Sequence, residues 1–298
     1  MREVFCLCIL FVLSCSALGA AETGHPFLAA DYTGNKVCII SADGKLDWEF
    51  PTPNSTDVWM LPNGNILFSQ RDGAREVTRE KKVVWEYKTA KGNEVYACQR
   101  LPSGDTLIGE LGPCRLIEVA PDGTIKKIIP IDTLKDKVHL QFRNARKLAS
   151  GNYLVACNAE HVIKEFDGDG KIVWSVPVKG DPFCAIRLKN GNTLIGAGDG
   201  HRIVEVDAAG KTVWEVEENE LPGIPLRFIA GLQRLENGNT IVCNWLGHGH
   251  IGKGLHAFEI TRDKKVVWKY EDHALFKTIS SLQLLDVKGD AVKGELER

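Results

Sequence analysis

One short phrase recurs along this chain and restricts its fold more than any other feature. It reads Leu61-Pro-Asn-Gly-Asn-Ile-Leu, Leu101-Pro-Ser-Gly-Asp-Thr-Leu, Leu148-Ala-Ser-Gly-Asn-Tyr-Leu, Leu188-Lys-Asn-Gly-Asn-Thr-Leu and Leu235-Glu-Asn-Gly-Asn-Thr-Ile. The glycines, Gly64, Gly104, Gly151, Gly191 and Gly238, lie 40, 47, 40 and 47 residues apart. A second phrase alternates with the first. Its clearest copy is Val204-Glu-Val-Asp-Ala-Ala-Gly-Lys-Thr-Val-Trp214, with others at Cys38 to Trp48, Val77 to Trp85, Ile117 to Lys127, Ile163 to Trp174 and Phe258 to Trp268. In most copies apolar residues alternate on both sides of an Asn-Gly, Asp-Gly or Ala-Gly pair, which supplies the positive φ of a tight hairpin turn. Each repeat therefore holds four short strands, and four strands at this period make one blade of a propeller.

The blade number follows from the ends. Phe27 to Phe50 carries the second phrase but lacks the strand before it, while Ile279-Ser-Ser-Leu-Gln-Leu-Leu-Asp-Val-Lys-Gly-Asp290 resembles the missing strand as it stands at Ile229 to Asn239. Pairing the C-terminal strand with the N-terminal half-blade closes the ring and removes its exposed edges. The expectation is an all-β, six-bladed propeller of four-stranded blades over residues 22–298. An open β-solenoid leaves the complementary half-repeats unexplained. The tryptophan near the end of the fourth strand is expected to pack between neighbouring blades.

Ahead of the propeller, Arg2 and the apolar run Val4 to Leu13 lead into Ser14-Cys-Ser-Ala-Leu-Gly-Ala-Ala21. This reads as a signal peptide over residues 1–21, too short to span a bilayer, with cleavage after Gly19 or Ala21. It implies export to a periplasmic or extracellular location; a lipoprotein attached at Cys15 is the alternative. No later segment is apolar for long enough to cross a membrane. Cys38, Cys98, Cys114, Cys157, Cys184 and Cys243 remain in the propeller. They are spread evenly, several within strand-like runs, and read as buried small hydrophobes, with a bridge or two allowed in an oxidising compartment. A net charge of −2 gives no support for a nucleic-acid partner.

The Asp-x-x-Gly-Lys-x-Val-Trp-Glu pattern of the second phrase resembles the repeats of quinoprotein-like propellers. The Leu-Pro-Asn-Gly-Asn turn resembles the bacterial arylsulfate sulfotransferase family, whose propeller is also six-bladed. That family is expected to carry histidines at the start of its inner strands. Here those strands read Asp57-Val-Trp-Met, Ala97-Cys-Gln-Arg, Asn144-Ala-Arg-Lys, Cys184-Ala-Ile-Arg, Gly231-Leu-Gln-Arg and Ser281-Leu-Gln-Leu, without histidine. Sulfuryl transfer is therefore not expected, and six blades rather than eight argue against a quinone-dependent dehydrogenase.

The four-strand blade sorts its loops onto two faces. Both hairpin phrases turn on one face. The other receives the second-to-third-strand loops and the blade-to-blade connections, and on this mapping it holds His25, His139, His161, His201, His248, His250, His256 and His273. Loops gathered on one face of a rigid scaffold are where function collects. The longest insertion, Asn244-Trp-Leu-Gly-His-Gly-His-Ile-Gly-Lys-Gly-Leu-His256, holds three of these histidines, with Trp245 available to stack on a sugar or aromatic ring. His248 and His250 are weak candidates for metal ligation, and His250 and His256 for general acid–base work. Arg143 and Arg146 are three apart on an inner strand and so point to opposite faces. One of them either clamps an anion in the central channel or forms a structural pair with a buried acid.

The candidate ligand-binding set is Asp57, Trp59, Arg143, Arg146, His201, Arg227, Asn244, Trp245, His248, His250 and His256. The expected function is binding of a small polar, carbohydrate or anionic ligand, or of a protein partner, in a central depression on the loop face. The alternative is a sugar- or anion-directed lyase or hydrolase using loop histidines and an arginine clamp. The sequence requires no cofactor and identifies none.

Overall fold

The computed structural model describes residues 24–134 and 137–298, so the expected leader lies outside the described residues. Six antiparallel four-stranded sheets form a ring, as the repeat count requires. Blade one joins Ser281–Leu284 to Phe27–Asp31, Lys36–Ile40 and Leu46–Pro51, with Phe27 opposite Leu284 and Ala30 opposite Ser281. Blades two to six run over residues 58–88, 94–130, 145–177, 184–216 and 228–270.

Within each blade the first strand lies innermost and the fourth at the rim. The strands Phe27–Asp31, Ile66–Gln70, Thr106–Leu111 and Tyr153–Cys157 are buried at every position, because each is covered on both faces by the adjoining blades. The outer strands Val83–Lys88 and Val266–Tyr270 alternate between exposed and more buried positions, as a strand with one wet face must. The turn glycines adopt left-handed φ, for example 89° at Gly191 and 82° at Gly210, where a side chain would be strained.

The blade tryptophans reach across to the next blade. The indole N–H donates to a main-chain oxygen there: Trp48 to Arg79 at 2.8 Å, Trp174 to Ala208 at 2.9 Å and Trp214 to Arg262 at 2.8 Å. A second repeated link uses the asparagine after the turn glycine. Asn192 Nδ2 donates to Glu205 Oε1 at 2.8 Å, and Arg234 of the next blade donates to Glu205 Oε2 at 2.7 Å. Asn152, Glu165 and Arg187 repeat the arrangement at 2.7 Å for both bonds. Asn65, Glu76 and Arg100 do so at 2.6 Å for both. The register between third and fourth strands slips directly after each of these glutamates, a bulge that re-aims the side chain toward the turn.

The residues after blade one's inner strand cross the turn face. Ala291 packs in the cluster of Trp59, Leu61 and Leu67, the Arg234 amide donates to Glu297 O at 2.9 Å, and Arg298 is 6% exposed in the channel mouth. The channel is thus closed from below. All six propeller cysteines are buried, and Cys38, Cys98, Cys157, Cys184 and Cys243 carry no disulfide. Among the described residues no helix is long and apolar enough to cross a membrane.

Candidate functional site

The loop face carries seven of the eight histidines. His25 is the correction: it precedes the second strand of its blade, which starts at the turn face, and it bonds Asp286 at 2.7 Å and Glu259 at 3.0 Å there. Part of the histidine bias has a backbone cause. His161, His201 and His248 sit in left-handed conformation, at φ 56°, 51° and 51°. The same loop in blades one and three carries Asn35 and Cys114 at φ 57° and 56°. Histidine and asparagine are among the side chains that tolerate this region.

The central depression on this face has a volume of about 260 Å³. Its wall is a belt of aromatic rings packed edge to face. Tyr32 meets Trp245 at 6.2 Å, Trp245 meets Phe228 at 5.1 Å, Phe228 meets Phe183 at 5.3 Å, and Phe183 meets Tyr96 at 6.3 Å between centroids. The Tyr96 phenol interacts with that of Tyr32, which closes the belt, and burial pushes it above the usual phenol range.

Arg143 lies in this wall, its guanidinium 4.7 Å from the Tyr96 ring and 6.0 Å from that of Phe183. It is 6% exposed. One nitrogen, Nη1, donates to the His139 and Phe142 carbonyls. Among the described residues no carboxylate forms an ion pair with it. Burial pulls the group below its ordinary range, opposed by the more distant charges of Glu94 and Asp181. A buried cation without a carboxylate partner among the described residues is costly, and here two main-chain oxygens and two aromatic rings offset that cost.

Three histidine–carboxylate pairs surround the mouth. His139 Nδ1 lies 2.8 Å from Glu94, His161 Nδ1 2.8 Å from Asp181 and His248 Nδ1 3.1 Å from Asp199. The bond to His139 holds Glu94 below the usual carboxylate range against the effect of burial. His248 is wedged edge-on against Trp245 at 4.9 Å and Phe228 at 5.7 Å. With Nδ1 held by Asp199, its Nε2 makes no hydrogen bond among the described residues.

The sequence candidates divide into four groups. Arg143, Trp245 and His248 line the depression. Asp57, Trp59 and Arg146 lie in the channel beneath it. There Arg146 clamps Asp57 rather than a ligand, with Nη1 to Oδ2 at 2.7 Å and Nη2 to Oδ1 at 2.9 Å, and stacks 4.8 Å from the Trp59 ring. Arg227, Asn244 and His250 line a separate pocket on the outer side of the insertion. His201 and His256 line neither: His201 bonds the Arg227 main-chain oxygen, and His256 is fully buried 4.6 Å from the His273 ring. His248 and His250 face different pockets, and among the described residues no three histidine, cysteine or acidic side chains gather as a metal site.

Tyr32, Tyr96, Phe183 and Phe228 are the site residues the sequence reading passed over. Each stands in or beside a strand-like run and reads as core. Their signal is position: all four fall at the loop-face ends of inner or second strands, where a core side chain has no neighbouring blade layer above it.

The comparisons agree with this architecture. A structure of a protein of unknown function from Bacteroides caccae is 32% identical, with a TM-score of 0.80 over 87% of this chain and 98% of that one. A streptogramin B lyase aligns at 16% identity and a TM-score of 0.61 over 86% of this chain and 83% of that one. Virginiamycin B lyase from Staphylococcus aureus, in a catalytically inactive histidine-to-alanine form with quinupristin, aligns at 14% identity and 0.59 over 84% and 85%. No curated protein sequence matches significantly. The family is given by a model that matches residues 34–265: the chain belongs to the Mal s 1 allergenic protein-like family.

Proposed function

We propose that this protein is a binding propeller whose loop-face depression takes a small anionic ligand with a flat apolar body, such as an aromatic or sugar carboxylate. Arg143 carries the reading. It is a buried guanidinium with no carboxylate partner among the described residues, set between two aromatic rings in a concave wall. The anion would meet Arg143 while the body of the ligand lies against Trp245, Phe228 and Phe183, whose edge-to-face packing holds them rigid. A concave, aromatic-lined hollow of this size suits a small ligand better than a flat protein surface. The leader-like residues 1–21 support export.

A thermal-shift and calorimetric comparison of aromatic carboxylates and uronic acids with their neutral amides tests the reading on the full chain. Carboxylates should bind and amides should not, and Arg143→Gln should abolish the difference. Equal binding of acid and amide, or binding unchanged in Arg143→Gln, would overturn it.

The His248–Asp199 pair favours a second reading, a lyase or hydrolase acting on the same ligand class. A carboxylate-oriented imidazole at the rim is placed to take a proton from a substrate that Arg143 holds. Turnover that survives in His248→Ala would remove that role.

A further inference from the structure

We propose that the pocket on the outer side of the blade-six insertion is a second binding site, separate from the depression, for a multiply charged oxyanion of the sulfate or phosphate type. The insertion is a wall with two sides. Trp245 and His248 face the depression, while Leu246, His250, Lys253 and Gly254 face this second hollow of about 460 Å³. Its far side is formed by residues 223–225, Arg227 and the outer-strand residue Lys269.

The charge is one-sided. Arg227, Lys253 and Lys269 face Glu271 alone, and Glu271 is engaged by His273 at 3.1 Å. Among the described residues the one ion pair of Arg227 is a 3.4 Å contact to Glu218. Among the described residues Lys253 and Lys269 have no ion-pair partner. The amides of Gly254 and Leu255, both in the lining, donate to no protein acceptor among the described residues, so two main-chain donors accompany the three cations. Asn244 makes the floor rigid: its Oδ1 accepts the Arg227 amide at 2.6 Å, and its Nδ2 donates to Pro225 O and Leu255 O at 3.3 Å each. One buried side chain thus ties the two walls together. Gly249, Gly252 and Gly254, at φ 92°, 80° and 83°, curl the insertion into the successive turns that bring His250 and Lys253 to the same side. Convergent ammonium and guanidinium groups with free amide donors are the ingredients of oxyanion recognition.

His250 is the reporter. Partial burial and then the nearby Arg227 and Lys253 hold its imidazole below the ordinary histidine range. A bound dianion would reverse that field and raise it. The experiment is a histidine NMR titration of the full chain, with the His250 resonance identified through His250→Gln. Sodium sulfate and sodium phosphate form separate arms against sodium chloride at matched ionic strength. The expected result is a saturable shift of the His250 signal and a rise in its pKa with at least one oxyanion, absent with chloride. Lys253→Gln and Lys269→Gln should each weaken the response roughly tenfold, and Arg143→Gln should leave it unchanged. Oxyanion shifts that merely track chloride, or that persist in the Lys253→Gln/Lys269→Gln double variant, would overturn the proposal. The depression plays no part in either outcome.

Discussion

Arg146 and Asp57 grip each other across the lumen of the ring, one from blade four and the other from the approach to blade two, in a two-bonded pair with Asp57 fully buried. Asp57 also accepts the Cys98 amide at 3.2 Å, so one carboxylate joins blades two, three and four. Removing its charge leaves Arg146 buried without a counter-charge. Asp57→Asn is expected to cost about 3–5 kcal/mol, read as a lower urea midpoint at unchanged slope. Pairing Asp57→Asn with Arg146→Met removes the stranded cation and should recover part of that loss. A double variant as unstable as the single one would contradict the assignment of the cost to the orphaned guanidinium.

The asparagine–glutamate–arginine links should carry more stability than ion pairs at the surface. Glu205 is 2% exposed and takes bonds from Asn192, Arg234 and Arg262. Glu205→Ala leaves two guanidiniums and one amide without their acceptor, with an expected loss of about 3–5 kcal/mol. Asp43 and Lys45 are exposed and within 2.6 Å of each other. Asp43→Ala should leave the melting temperature nearly unchanged. Comparable losses in the two variants would show that the links are decorative.

His256 gives a pH dependence with a defined sign. Burial first, and then the facing His273, lower its pKa to about 4, while Asp31 and Glu271 oppose the shift. The unfolded chain binds this proton near the ordinary value of about 6.5, so between these values the unfolded state holds more protons. Stability from this group is complete above the upper value, falls as pH drops through the window, and reaches its minimum below about pH 4. The shift corresponds to about 3 kcal/mol. Denaturant midpoints measured across the window should flatten in His256→Leu relative to the parent. Identical slopes would exclude His256 as the source.

The ring was legible because its cause is local: a turn glycine and alternating apolar residues state the hairpin in a dozen residues, and the split repeat at the two ends states the closure. The second asparagine of the Leu-x-Asn-Gly-Asn phrase was visible, but its partner was not. Glu205 and Arg234 are separated from Asn192 by a hairpin and by a whole blade connection. The site was harder for the same reason. The histidines drew attention to the face that carries the depression, yet three of them owe their place to left-handed backbone. Tyr96 and Phe183 follow the same alternation as core residues, and only the end of the blade stack distinguishes them. Spacing alone puts Arg143 and Arg146 on opposite sides of one strand, but the strand begins at Ala145 and leaves Arg143 ahead of it, and which of them meets a carboxylate depends on Asp57, which stands 89 residues from Arg146.

The strap across the turn face offers a test in which two changes at the same place have different consequences. Removing residues 291–298 deletes the packing of Ala291 and Leu296 on the Trp59 cluster and the Glu297 oxygen that accepts the Arg234 amide. A loss of about 2–4 kcal/mol is expected, in the range of a large-to-small core change, with a red shift of tryptophan fluorescence as Trp59 meets water. Arg298 itself contributes differently. Its guanidinium lies 4.3 Å from the Trp59 ring, but burial pulls its pKa down to about 10, and its Nε and Nη1 have no hydrogen-bond partner among the described residues. Replacing such a group with an apolar chain of similar length removes the desolvation cost and keeps the stacking volume. Arg298→Met should therefore leave the thermal midpoint equal or higher while the truncation lowers it. A midpoint for Arg298→Met as low as that of the truncated chain would mean that the charge, and not the packing of the strap, holds the channel shut.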